Sequence, residues 1–246
     1  MGLHVCRPFS TGGFMSDPYS ELAELAGGFI HEIKNHLSTF GLNLQLLAED
    51  FSEPQSQRER RAQERIHRLQ TECERLVDVS NDFLRFARLQ ELHLKPTNLS
   101  QPLEELIDFF SPMAKNDHIK INCYLPSDLP LVPLDSEIFK QALLNLLLNA
   151  KQAMPSGGEI TIQATSNSNE LILSIIDTGK GISKDSLEKI FKPFYSTRQG
   201  GTGLGLPTTR KIIEGHGGRM ELQSELGKGT KFSIHLPLKH KEIKNG

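Results

Sequence analysis

Between Ile30 and Ala87 the apolar residues recur at alternating intervals of three and four. Ile30, Ile33, Leu37, Phe40, Leu44 and Leu47 form one series; Ala62, Ile66, Leu69, Cys73, Leu76, Ser80, Phe83 and Ala87 form a second. This spacing lays side chains along one narrow stripe of an α-helix, the seam by which helices pack on helices. The polar stretch EDFSEPQSQ, with its Pro, separates the two series and predicts the loop of an antiparallel helical hairpin. One narrow stripe per helix buries too little apolar surface to hold two helices together. The pattern therefore predicts that residues 20–92 self-associate into the four-helix bundle of a homodimer. Residues 1–19 and 241–246 lack any period and are expected to be flexible tails.

After about residue 95 the texture changes. A helix is expected around Leu103–Phe110, followed by the strand IKINCYLP and the apolar helix LDSEIFKQALLNLLLNAKQAM, capped by Asp135 or Ser136. EITIQAT and LILSIID read as a β-hairpin across SNSNE, and RMELQSE and TKFSIHLPL as another across LGKGT. Between them, GLPTTRKIIEGHGG reads as a helix that carries Pro in its first turn and ends at Gly. Helices and hairpins alternate without a βαβ rhythm. The expected class is α+β: the helical hairpin over 20–94, then an α/β sandwich over 95–240 with a mixed, mainly antiparallel sheet.

Composition removes several functions. Hydrophobic residues at 37% and charged residues at 24% suit a chain with a core, not a disordered one. A net charge of −2 and a pI near 6.5 give no electrostatic footprint for nucleic acid. Cys6, Cys73 and Cys123 are far apart, which excludes a disulfide framework and a zinc knuckle. No apolar run reaches the roughly 18–20 residues of a membrane span, so no membrane insertion and a cytoplasmic location are expected.

The chemistry-bearing residues are glycines and amides. Asp177-Thr-Gly179-Lys-Gly181 ends a strand, and Gly201-Thr-Gly203-Leu-Gly205 opens a helix. Glycines before a helix N-terminus let backbone N–H groups reach phosphate oxygens, where the helix dipole favours negative charge. Two such loops within thirty residues, one headed by a carboxylate, point to a nucleotide. No Walker P-loop occurs, and the βαβ unit of a dinucleotide fingerprint is missing. Asn145 and Asn149 lie four apart, on one face of a helix whose other positions are largely Leu. Amides there cost stability unless something polar satisfies them, and a neutral carbonyl oxygen suits Mg²⁺ half-neutralised by a triphosphate.

Asn145-Leu-Leu-Leu-Asn149-Ala, Asp177-x-Gly-x-Gly181, Phe191-Lys-Pro-Phe194, Gly201-x-Gly-x-Gly205 and Gly227-Lys-Gly-Thr230 occur in that order. They resemble the N, G1, F, G2 and G3 boxes of histidine kinases in the GHKL (Bergerat-fold) ATPase superfamily. Upstream, His31-Glu32-Ile-Lys-Asn35 resembles the H box of their dimerisation and phosphotransfer domain, closest to the nitrogen-regulator type. The resemblance implies ATP and Mg²⁺ as cofactors and autophosphorylation of His31 with Glu32 as base. It also implies transfer to an Asp of a response-regulator receiver domain, with Asn35 positioning water for dephosphorylation of that partner. Asp177 would accept the adenine amine, Asn149 would bind Mg²⁺ with Asn145 alongside, and Thr230 would lie near the adenine. Phe191–Gly205 would be a mobile lid whose Arg198 reaches the phosphates.

Two departures stand out. Where the family usually has Pro five residues after the phospho-acceptor, this chain has His36, so the first helix is expected to be straighter. Gly27-Gly28, just before His31, weakens the same helix by roughly 1 kcal/mol per residue relative to Ala. Rival readings are a degenerate kinase that binds ATP as a scaffold, an ATPase of the gyrase or MutL kind, and a Ser kinase of the anti-sigma type. The ATPases use a Glu where this chain has Asn145, and the Ser kinases lack a hairpin with an H box.

Overall fold

The computed structural model describes residues 18–87, 92–198 and 201–238; most of both expected tails lies outside these. The chain divides into two compact units. One holds the two long helices together with Ser196–Leu204, and the other holds the elements from Lys95 onward.

In the helical unit, α1 spans Pro18–Asp50 and α2 spans Gln57–Ala87. Helix α1 is uninterrupted through His36, as expected where no Pro removes an N–H from the ladder. Helix α2 starts at a reciprocal cap: the Ser56 hydroxyl accepts the Glu59 N–H at 3.2 Å, and the Glu59 carboxylate accepts the Gln55 N–H at 2.6 Å. Two otherwise orphaned donors are thereby satisfied.

The apolar stripes divide differently from a single seam. Leu37, Leu44 and Cys73 are half-buried and Ile66 is buried, but Phe40, Leu47, Leu69 and Leu76 are 63%, 42%, 54% and 45% exposed. Gly41 and Ala48 are instead the half-buried neighbours of Leu37 and Leu44. A three-four stripe is wider than one partner helix can cover, so its outer edge stays bare. Gly41 has no neighbour within 4 Å of where a Cβ would sit, and it borders a groove of about 470 Å³ lined by Leu37, Gln45, Gln70, Cys73 and Val77.

In the second unit the strands are β1 (Lys95–Thr97), β2 (Ile119–Tyr124), β3 (Val132–Leu134), β4 (Gly158–Ser166), β5 (Glu170–Asp177), β6 (Arg219–Glu225) and β7 (Gly229–Pro237). The helices are α3 (Ser100–Asn116), α4 (Ser136–Ala153), the short α5 (Lys184–Leu187) and α6 (Gly205–Gly215). Five strands form a sheet in the order β2-β4-β5-β7-β6, parallel only between β2 and β4. The mixed, mainly antiparallel sheet is as expected. The two-stranded antiparallel β1-β3 pair is additional.

Alternation along the strands buries Ile160, Ile162, Leu171, Leu173, Ile234 and Leu236, and α4 contributes the fully buried Phe139, Leu143, Leu146 and Leu147. Each such side chain stabilises the fold by roughly 1.5–3 kcal/mol relative to exposure. Asp135 caps α4 by accepting the Ile138 N–H at 3.2 Å. His216, just past α6, ties the far end of that helix to the same corner: its Nε2 accepts the Asp135 N–H at 3.0 Å and its Nδ1 lies 2.8 Å from the Ile212 carbonyl. At the β6 side of the sheet Arg219 forks onto Glu170 at 2.6 and 3.2 Å. The guanidinium holds the Glu170 carboxyl at about 2, well below the usual range.

Candidate functional site

The end of β5 gathers the first group of residues. Asp177 is 5% exposed, and its Oδ1 accepts the Gly179 N–H at 2.9 Å. That bond fixes the carboxylate where the strand turns away from the sheet. Asp177 pairs in register with Thr230 of β7, which is equally buried and lies 3.1 Å from the Ser224 hydroxyl. Close backbone approach explains the glycines here. Gly229, at φ 109°, leaves no room for a Cβ against the Asp177 carbonyl; Gly181, at φ 69°, leaves none against the Glu225 carbonyl.

Helix α4 supplies the second group. Asn145 and Asn149 are half-buried on a helix whose Leu143, Leu146 and Leu147 are in the core. The first residue of α6, Gly205, would place a Cβ 3.9 Å from the Asn145 amide carbon. The Lys180 N–H donates to the Ala153 carbonyl at the end of α4 at 3.1 Å, so the loop after Asp177 is stitched to the helix of the two amides. Asn145, Asn149, Asp177, Gly179, Gly181, Gly205 and Thr230 thus belong to one unit. Hydroxyls that the motifs did not single out complete it. Thr209 donates to the Gly205 carbonyl at 2.9 Å, and Ser224 donates to the Gly229 carbonyl at 2.8 Å. Their only signal in the sequence is a position near a glycine turn.

Arg198, Gly201 and Gly203 belong to the other compact unit. There the Ser196 hydroxyl accepts the Arg198 N–H at 3.1 Å, Gly203 has φ 68°, and the Thr202 hydroxyl donates to Asp82 of α2 at 2.8 Å. His31, Glu32 and Asn35 lie on α1. Glu32 and Asn35 are exposed; the His31 side chain lies outside what the structure describes. Among the described residues, no three His, Cys, Asp or Glu side chains are grouped to hold a metal ion, and no helix is long and apolar enough to cross a membrane.

Residues 134–240 match the family of histidine kinase-, DNA gyrase B- and HSP90-like ATPases. The sensor histidine kinase ZraS of Escherichia coli (strain K12) is 33% identical over 217 residues, covering 88% of this chain and 46% of ZraS. Full-length ShkA, solved in complex with AMPPNP, superposes with a TM-score of 0.69 at 28% identity, over 87% of this chain and 46% of ShkA. The catalytic domain of histidine kinase ThkA gives a TM-score of 0.54 at 30% identity over 59% of this chain. The chain spans about half or less of the curated relatives it matches. It nevertheless covers 96% of the ThkA catalytic domain. The chain belongs to the histidine kinase family.

Proposed function

We propose that this chain carries the phosphotransfer and ATP-binding parts of an ATP-dependent protein histidine kinase in a two-component system. Nε2 of His31 attacks the γ-phosphorus of ATP, the bond to the β,γ-bridging oxygen breaks, and ADP leaves. Glu32 takes the imidazole proton. The phosphoryl group then passes to an Asp carboxylate of a response-regulator receiver domain. Positioning and charge neutralisation supply most of the rate.

The observation that carries this reading is the buried Asp177, its carboxylate fixed by Gly179 beside Thr230. A carboxylate accepts a hydrogen bond from the exocyclic amine of adenine, and at this position guanine offers a carbonyl instead. Glycines 179, 181 and 205 would let the nucleotide approach the backbone, and Gly201, Gly203 and Arg198 would form the lid over the phosphates. The half-buried amides of Asn145 and Asn149 on an otherwise apolar helix suit Mg²⁺, a hard cation that takes neutral oxygen donors and shares its shell with phosphates. Asn149 would hold the ion, which when bound neutralises phosphate charge. Asn35, exposed one turn beyond His31, would orient the water that hydrolyses the receiver's phospho-Asp. With these substrates the chain works in the cytoplasm.

Incubation with γ-labelled ATP tests the activity. The expected product is a protein-bound label that is lost in acid and survives alkali, as for phosphohistidine. A label stable to acid and lost in alkali would overturn the histidine kinase reading.

The bare edge of the hairpin supports a homodimer, since a second copy would cover Phe40, Leu47, Leu69 and Leu76. Sedimentation at micromolar concentration is expected to show a dimer. Changing Phe40 and Leu69 together to Glu should yield a monomer, because four carboxylates per dimer would lose hydration at several kcal/mol each. A monomeric parent chain would contradict the assembly.

A further inference from the structure

The proposed lid is anchored at its first residues, Phe191–Tyr195, and just ahead of them. Ser183, just ahead of α5, donates its hydroxyl hydrogen bond to the Ser186 hydroxyl at 2.9 Å. Ser186 is 8% exposed, and its Oγ lies 3.2 Å from the Tyr195 hydroxyl. The Ser186 carbonyl accepts the Lys189 and Ile190 N–H groups, both at 2.9 Å, and the Lys192 carbonyl accepts the Tyr195 N–H at 3.2 Å. Phe191 lies under the Arg210 guanidinium of α6, 5.6 Å from ring centre to carbon. Between these anchors Phe194 adopts φ 64° with its side chain 56% exposed. That conformation is costly for a bulky residue, and it persists only where the flanking structure enforces it.

Tyr195 also ends the stretch Glu91–Tyr195 of this compact unit, which resumes at Gly205, and the next residue, Ser196, begins the segment that clusters elsewhere. The Ser183–Ser186–Tyr195 hydroxyl chain therefore ends where the chain stops being held by the unit that contains Asp177 and Asn149.

We propose that Tyr195, through Ser186, is a positioning residue that fixes the root of the nucleotide lid. This rests on the ATP-binding reading above. A lid closing over phosphates loses conformational freedom, and that loss is smaller when its first residues, as far as Tyr195, are already fixed. The hydroxyl pair confines Tyr195 in the free protein, so the lid starts its excursion from one direction. Ser186 touches neither nucleotide nor phosphate in this scheme, and its effect reaches the site only through Tyr195.

Tyr195→Phe removes one oxygen and keeps the ring, so packing of the root is retained. Ser186→Ala removes the other partner. Each is expected to weaken ATP binding, and to raise KM for ATP, by about three- to tenfold, the scale of one net hydrogen bond, while kcat stays within about twofold. The double variant should be no weaker than Ser186→Ala alone, because that variant already lacks the bond that Tyr195→Phe deletes. A fluorescent ATP analogue titrated into the full chain reads affinity directly, and thermal unfolding of the same samples reports any general loss of structure. Parental affinity in Tyr195→Phe would overturn the proposal, as would fully additive losses in the double variant. If the parent chain itself does not bind the analogue, the ATP-binding reading fails instead, so the two failures are distinct.

Discussion

Replacing His31 by Gln is expected to abolish label incorporation from γ-labelled ATP while leaving nucleotide affinity within about threefold. The substitution keeps a polar side chain of similar length on α1 and deletes the only imidazole of the H box. The residues proposed to bind ATP lie on the other compact unit or in Ser196–Leu204, and none is on α1. Loss of turnover with binding intact is the signature of a group that acts in the transition state alone. His36 is the rival acceptor. At five residues on, it sits about 140° round the helix, so it cannot take the same pose before an incoming phosphate. Equal labelling of parent and variant would sink the assignment and promote His36.

Asn149→Ala is expected to cut autophosphorylation by roughly 10²-fold or more, on the scale of losing one preorganised charge-stabilising group. Asn149 is only half-buried, and its helix is held by Phe139, Leu143, Leu146 and Leu147, so the fold should survive the change. Asn149→Asp is expected to fail comparably, since it sets a carboxylate beside the triphosphate. Activity is to be followed across a Mg²⁺ titration, because a lost ligand raises the Mg²⁺ concentration needed for half-maximal rate. Parental activity of Asn149→Ala at every Mg²⁺ concentration would refute the assignment of α4.

Much of the architecture was legible because local chemistry and global fold agree. Asp135 or Ser136 reads as a cap before an apolar run, and of the two it is the Asp135 side chain that caps α4. The β-rich run LILSIID reads as a strand, and β5 lies in the middle of the sheet. The glycines of the G1 and G2 boxes read as phosphate-loop residues, and those of LGKGT as a hairpin turn. The structure adds that Gly229 and Gly181 are also required by backbone packed against backbone.

Other features left no local trace. Strands β1 and β3 are three residues each with Pro in the middle; Pro has no N–H to offer a ladder, so such pieces carry no strand signal. The helical seams were readable as stripes. The division of each stripe between the partner helix and the bare edge depends on how far the helices stand apart beside the groove at Gly41, which periodicity does not encode. Ser186 and Tyr195 meet only because the chain turns between them, and nothing in either residue's neighbours announces the pair.

The His216 bridge makes the protonation state of one imidazole a condition of the fold. Its Nε2 accepts the Asp135 N–H, which it can do only with a lone pair there, so the ring must be neutral. In that tautomer Nδ1–H donates to the Ile212 carbonyl, and the buried ring has no second arrangement that satisfies both nitrogens. Burial pushes the His216 pKa below its ordinary value, against smaller opposing contributions from the Ile212 carbonyl and Asp135. An unfolded chain takes up the proton near pH 6.5, whereas the folded one resists until a lower pH. The stabilisation is therefore complete above about pH 6.5 and drains away as the pH falls towards the lowered folded value, by at most about 1.4 kcal/mol per pH unit. Because the bond sits at the first turn of α4, acid works on the same helix that presents Asn145 and Asn149. Proton uptake and the nucleotide occupancy proposed above would thereby be thermodynamically linked, each favouring a state of the domain that disfavours the other.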